Sequence, residues 1–347
     1  MASEQIASLD QVARVSLSRV DGGPTDGMRV IDVSLLGGFS FRVLPDRGLD
    51  IGATWCASGD GRLIPISWTS KLGEQLPLDT PTGSAWITRF SGGLLTTCGI
   101  DNVGPSSEGL GLHGSFSHRK ASEVSIVRSW LGIELNGRTG STGDADPDAL
   151  VQVTIRGVIE DSDALSRHIR VTRTITATTG QATITIEDVV ENLGPKDEPI
   201  PLLYHCNFGY PFWGHGATVV FPEGTQTTPR DADAASDLNT TDFPGVGRGR
   251  AERVYEQSVP KGSSFAQIRS KANNLVVELR WSGETLDRCI QWIHPGAGVS
   301  ALGVEPSNSS VMGRAHDRAA GRLPILKPGA TTTFSVEISA SPMSVLS

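Results

Sequence analysis

Residues 151–156 alternate Val151, Val153 and Ile155 with Gln152, Thr154 and Arg156. A period of two sorts apolar side chains to one face of an extended chain and polar ones to the other, whereas a helix would scatter them around its axis. The same enrichment in Val, Ile, Thr and Phe marks 39–44, 169–175, 183–190, 275–281 and 332–338 as strands. The 40 glycines and 20 prolines are spread along all 347 residues instead of gathering in one linker, as short strands joined by tight turns require. Helical spacing is poor. Its best case, 6–12, sets Ile6, Leu9 and Val12 only loosely on one face. The chain therefore reads as all-β, with long loops at 137–148 and 225–250, both rich in Asp, Thr and Gly. Strand signals continue at similar density on both sides of each loop and no repeat of fixed period is evident, so 1–347 is expected to be a single domain.

Composition narrows the function classes. With 30 basic and 38 acidic side chains the formal net charge is −8, which offers no positive field to nucleic acid or anionic lipid. No window approaches the ~18 consecutive apolar residues of a spanning helix. The first twenty residues carry Glu4, Asp10, Arg14 and Arg19 with no apolar run of signal-peptide length. The expectation is a cytoplasmic protein without nucleic-acid or membrane partners. Cys56, Cys98, Cys206 and Cys289 stand singly, without the CxxC pairs of zinc and redox sites, and read as buried thiols.

Three residues stand in settings suited to chemistry. His113 follows the glycine-dense stretch 92–104, where backbone can approach a ligand closely. His205 sits in Tyr204-His205-Cys206-Asn207-Phe208-Gly209-Tyr210-Pro211, which mixes rings for stacking with donors for hydroxyls. Glu305 ends the apolar run Ala301-Leu302-Gly303-Val304 just before Pro306. A carboxylate at the mouth of an apolar cavity has its proton affinity tuned by partial desolvation. Lys71, Asp101, Asn102, Asn207, Gln291 and Asn308 are of the types that read hydroxyl patterns, and Trp86, Trp213 and Trp292 could offer a stacking face. No HxH or HExxH cluster occurs, and the spacing of His113 and His118 points them to opposite faces of a strand, so no metal is expected. The glycines of 244–250 lack both GxGxxG spacing and a strand-then-helix context, which argues against a nucleotide site.

Five blocks in order, Asp46-Arg47-Gly48-Leu49-Asp50-Ile51, Phe90-Ser91-Gly92-Gly93-Leu94-Leu95-Thr96-Thr97-Cys98-Gly99, Leu112-His113-Gly114, the 205–211 segment and Glu305-Pro306-Ser307-Asn308, resemble the aldose 1-epimerase (galactose mutarotase-like) superfamily and, within it, the bacterial family DUF4432. The resemblance is nearly chain-long. It implies a β-supersandwich of two large antiparallel sheets whose concave face holds a small sugar, with His205 as general acid and Glu305 as general base in cofactor-free mutarotation. It further implies that His113 binds a hydroxyl or stabilises charge at the ring oxygen and that Arg89 holds a sugar hydroxyl. Arg47 and Asp50 are expected to form a structural ion pair at a sheet end, and the protein to be a monomer or homodimer. Ser115 and Cys206 depart from the pattern, which leaves substrate choice open. Another sugar isomerase, epimerase or lyase on the same scaffold, or a non-catalytic sugar-binding protein, stands as the alternative. If the 244–250 segment covers the cleft, Arg248 or Arg250 would meet an anionic substituent.

Overall fold

The computed structural model describes residues 6–79, 81–131 and 150–343; the expected 137–148 loop lies outside them. Two large antiparallel sheets face each other. One has eleven strands. In spatial order it runs Ala13–Arg19, Arg29–Leu35, Ser40–Leu44, Asp50–Ala57, Leu95–Gly99, Leu202–Gly209, Ala301–Ser307, Arg288–His294, Arg253–Ser258 and Gln226–Pro229, with Leu63–Pro65 paired beside Asp50–Ala57. The other runs Ala217–Val220, Phe265–Ser270, Leu275–Trp281, Thr331–Ser341, Thr183–Asn192, His168–Thr178, Val151–Ser162 and Ser122–Trp130. All six expected strands are present: Leu275–Trp281 keeps its expected bounds, Ser40–Leu44 begins one residue late, and the other four run on by one to several residues where the sequence turns polar, since ladder pairing continues past the apolar pattern. The 6–12 segment forms only a 3₁₀ turn, Leu9–Gln11, closed by a capping box between Ser8 and Gln11.

Alternation decides what each face of the eleven-stranded sheet meets. Along Leu202–Gly209, the side chains of Leu202, Tyr204, Cys206 and Phe208 enter the core between the sheets, joined by Ile155, Ile186, Val277, Val304 and Val336. Leu203, one residue out of phase, belongs to a second apolar cluster on the outer face with Trp86, Cys98, Val103, Val254 and Ile290. That outer face is covered by the segments 66–94 and 100–118, which contribute Trp86, Phe90, Val103 and Leu112 to the cluster. Both faces are buried, so this strand is buried along its whole length. All four cysteines are buried free thiols.

The inter-sheet core holds one charged group deep inside. Arg173, fully buried, donates to Asp188 (2.8 and 2.6 Å), Asp50 (2.8 Å), the Thr97 hydroxyl (2.9 Å) and the Gly48 carbonyl (3.0 Å). Tyr204 donates to the same Asp188 at 2.6 Å, and the guanidinium lies 4.9 Å over the Phe116 ring. The expected Arg47–Asp50 pair is thus re-partnered. Asp50 points inward to Arg173, whereas Arg47 spends its donors on the carbonyls of Gln75 (2.9 Å) and Arg89 (2.8 Å), fastening the covering segment.

His118 provides a pH-sensitive element away from the cleft. Its Nδ1 accepts from the Leu78 amide at 3.0 Å, while its buried Nε2 has no partner. Burial, followed by the positive charges of Arg47 and Arg89, lowers its pKa to about 3. Between that value and 6.5 the unfolded chain binds a proton that the folded chain refuses, so stability falls on acidification by about 1.4 kcal/mol per pH unit, about 2 kcal/mol at pH 5. His118→Asn is therefore expected to flatten the fall in urea-unfolding free energy between pH 6.5 and 4. An unchanged slope would mean that the folded protein binds this proton after all.

Candidate functional site

The registers Leu203↔Ser307 and Cys206↔Val304 set His205 directly across from Glu305 on adjacent central strands. Both project from the outer face of the sheet into a cavity of about 710 Å³ under the covering segments. His205 Nε2 lies 3.3 Å from Glu305 Oε1 with both side chains almost fully buried. The two atoms are close but not aligned as a hydrogen bond, and Glu305 Oε1 and His205 Nδ1 are left without partners. A buried carboxyl oxygen in this condition is costly unless something else meets it, which directs attention to a ligand.

Close approach of the two groups depends on a glycine. A Cβ at Gly303 would fall 2.3 Å from Glu305 Oε1, 3.1 Å from His205 Cε1 and 3.1 Å from Trp292 Cβ. The Glu305 carboxyl end is the easiest of these to displace. Gly303→Ala is accordingly expected to fold with near-normal stability while the pair is pushed apart, and misplacement of a reacting group by an ångström costs on the order of 100-fold. A melting temperature near wild type combined with full turnover would show that the pair's spacing does not matter.

His113 joins the pair from the covering layer, its ring 6.3 Å from that of His205. Its backbone is left-handed (φ 55°), a conformation that costs a non-glycine residue roughly 1 kcal/mol. The strain is held by backbone bonds to Gly104 and Gly99, both 2.9 Å, and by Asp101, whose carboxylate accepts from the Ser115 amide (2.9 Å) and hydroxyl (3.0 Å). The Gly104 amide approaches His113 Nδ1 at 3.4 Å, so the ring proton belongs on Nε2. Rings enclose the site. Phe90 and Trp292 lie 5.2 and 5.4 Å from His205, Trp86 lies 4.7 Å from His113, and Trp68 lies 5.4 Å from Phe90. At the mouth, Glu252 accepts from Trp292 Nε1 (2.8 Å) and Arg230 (3.2 Å), and Arg230 also donates to Asp231 (2.7 Å).

Burial governs protonation here. It lowers His205 to about 3, helped by His113, and lowers His113 to about 4. It raises Glu305 well above the ordinary glutamate range, reinforced by the negative charge of Glu252. Burial thus favours the uncharged form of both groups, the neutral imidazole of His205 and the protonated carboxyl of Glu305.

The structure brings His113, His205 and Glu305 into one cavity with Trp86 and Trp292. Other expected contacts lie elsewhere. Gln291 is one residue out of phase with Ile290 and Trp292, so it faces inward, accepting from Gln257 and donating to the Thr240 carbonyl, both at 2.7 Å. Asn308 stitches the strand end, accepting from the Leu202 amide (2.7 Å) and donating to the Ile200 carbonyl (3.0 Å). Asn102 donates to the Pro105 and Gly111 carbonyls within the His113 loop, and Asp101 supports the same loop from outside the cavity. Asn207 shares the outward face of its strand with His205; its Nδ2 donates to the Gly93 and His205 carbonyls (3.1 and 2.8 Å), while its buried Oδ1 has no partner among the described residues. Lys71 is exposed in a turn. Arg89 ends the 3₁₀ turn Ala85–Arg89 with its guanidinium on the Thr88 carbonyl, and Phe90 takes the inward position instead. Trp213 packs in the inter-sheet core.

The 225–250 segment is not simply a loop. It contributes the edge strand Gln226–Pro229 and the short helix Ala232–Ala235, and the cleft cation it supplies is Arg230. Arg248 does not line the cavity, and Arg250 turns back onto the Pro244 carbonyl at 2.8 Å. Sequence reasoning missed Trp68, Phe90, Arg230, Glu252 and His294. Only His294 carried a signal, since it continues the alternation of Ile290 and Trp292 onto the cleft face.

Solved structures share this architecture. A Klebsiella pneumoniae subsp. pneumoniae protein described as a "putative aldose 1-epimerase" superposes with a TM-score of 0.80 at 19% identity, over 95% of this chain and 84% of its own. A galactose mutarotase-like protein of Clostridium acetobutylicum gives 0.56 at 14% identity over 96% and 100%. A galactose mutarotase related enzyme of Lactobacillus acidophilus gives 0.53 at 13% over 95% and 98%. At such identities the likeness is one of fold, the mutarotase-like β-sandwich. No curated protein matches the sequence. Residues 25–340 match the family described as "Domain of unknown function (DUF4432)", and the chain belongs to that family.

Proposed function

We propose that the cavity catalyses anomer interconversion of a cyclic sugar by acid/base ring opening, as an aldose 1-epimerase does. The observation that carries the reading is the buried His205–Glu305 pair, 3.3 Å apart on adjacent strands and facing one cavity. In ring opening, one member accepts the proton of the anomeric hydroxyl while the other donates a proton to the ring oxygen. The C1–O5 bond breaks and a carbonyl forms at C1. Rotation about C1–C2 and reclosure on the opposite face reverse both transfers, and the pair regains its starting state. The resemblance makes His205 the acid and Glu305 the base, whereas desolvation starts the proton on Glu305. The net reaction is the same in either sense, because opening and closing exchange the roles. His113 Nε2–H is the donor available to an oxygen on which charge develops.

The test is anomer exchange by proton NMR with freshly dissolved single anomers of aldoses, ketoses and uronic acids. The expected outcome is faster equilibration of at least one sugar than in buffer. If no sugar equilibrates faster, the reading is wrong.

A further inference from the structure

The cavity is larger and more apolar than one sugar ring requires. A hexose has about twelve non-hydrogen atoms, which fill roughly half of the 710 Å³ even at the ~30 Å³ that a water occupies in the liquid. The whole volume is that of a drug-sized ligand. The polar groups that suit a reacting ring are concentrated at His113, His205 and Glu305, while much of the remaining wall is aromatic or aliphatic. Two wall residues stand at the mouth with large apolar areas in water, Ile87 at 58% and Met312 at 45% exposure. A single exposed apolar side chain is ordinary, but two on the rim of one cavity form a surface that meets something apolar. Charge points the same way. The cation lining the cavity, Arg230, is already bridged to Asp231 and Glu252, so an anionic substituent would meet more negative than positive charge there.

We infer that the physiological ligand is an uncharged sugar carrying an apolar substituent, aryl or alkyl in size, away from its anomeric carbon, with that substituent lying against Ile87 and Met312. This rests on the reading of the cavity as a sugar site and narrows its substrate class. The free anomeric hydroxyl stays at the His205–Glu305 end, where ring opening needs it.

Titration calorimetry and tryptophan fluorescence with matched sets of aldohexoses test the inference, each hexose taken as the parent, its 4-O- and 6-O-benzyl ethers and its 6-phosphate. At least one benzyl ether is expected to bind about tenfold or more tightly than its parent, the gain that burial of a small apolar group brings, and no 6-phosphate is expected to match it. Ile87→Ser and Met312→Ser should reduce that gain several-fold, read as the ratio of ether affinity to parent-sugar affinity in each variant. Equal binding of parents and ethers, tighter binding of the phosphates, or no binding of any ether would overturn the inference. Anomer exchange on the same compounds separates the two claims. A parent sugar turned over without any benefit from the ether retains the acid/base reading and removes this one. An ether bound tightly but never anomerised does the reverse.

Discussion

If the cavity catalyses anomer exchange as proposed, Glu305→Gln and His205→Asn are each expected to lower its rate by about 1,000-fold, within the 10²–10⁴ range typical of a positioned acid or base. The double variant loses little more. The two groups stand 3.3 Å apart and the proposed reaction needs one to accept a proton while the other donates one, so either one alone cannot complete both transfers, and residues acting as a unit are far from additive. Losses that multiply to about a million-fold would show two independent contributions instead. Both variants should melt near the wild-type temperature, because each exchanges one buried polar side chain for another of similar or smaller size, so lost turnover cannot be put down to unfolding. The pH profile follows from the same proton count. Turnover should hold through neutral pH, fall on the acid side as His205 gains a second proton near its lowered pKa of about 3, and fall on the alkaline side once Glu305 ionises. The alkaline limb should disappear in Glu305→Gln, leaving a low and flat rate.

Sequence reasoning reached the fold because period-two alternation is a local property. Residues 275–281 were legible as a strand from their own side chains, with no knowledge of what they pair with. His205 and Glu305 were legible chiefly through the ordered blocks that resemble the aldose 1-epimerase superfamily; on its own, Glu305 stood out as a carboxylate ending an apolar run and His205 as an imidazole among rings and amides. Other assignments failed where a side chain's direction depends on neighbours far away in sequence. Gln291 looks equivalent to Trp292 in composition terms, but strand phase sends one to the core and the other to the cleft. Asp50 has Arg47 close by in sequence, yet its partner is Arg173, 123 residues on, because the sheets place them face to face. Trp68 arrives in the cavity on the two-residue strand Trp68–Thr69 and Arg230 just past the edge strand Gln226–Pro229, elements too short for a periodicity to record.

Arg173→Met is expected to have the largest effect on stability of any single change in the core. It removes the cation between Asp50 and Asp188, two buried carboxylates with no other positive partner among the described residues. Burial works against the Arg173 charge, but Asp188 and Asp50 outweigh it and hold its pKa above the ordinary arginine value. Breaking such a pair from one side typically costs 3–5 kcal/mol, and here a single guanidinium serves two acids. Arg173→Lys should recover only part of the loss, because an ammonium has three donors on a point charge while the native group makes five hydrogen bonds in fixed directions. Adding Asp50→Asn and Asp188→Asn to Arg173→Met should restore stability, since the penalty lies in the uncompensated charge and not in lost volume. Urea unfolding of the four proteins decides the matter, and a cost within about 1 kcal/mol of zero for Arg173→Met would mean that the acids are protonated in the fold. The consequence extends to the cleft. Thr97, held by Asp50 and Arg173, is paired with Tyr204, which is itself tied to Asp188 and precedes His205. The network fixes the strand from which His205 projects on the opposite face, so the Arg173 variants should lose turnover at temperatures where they remain folded.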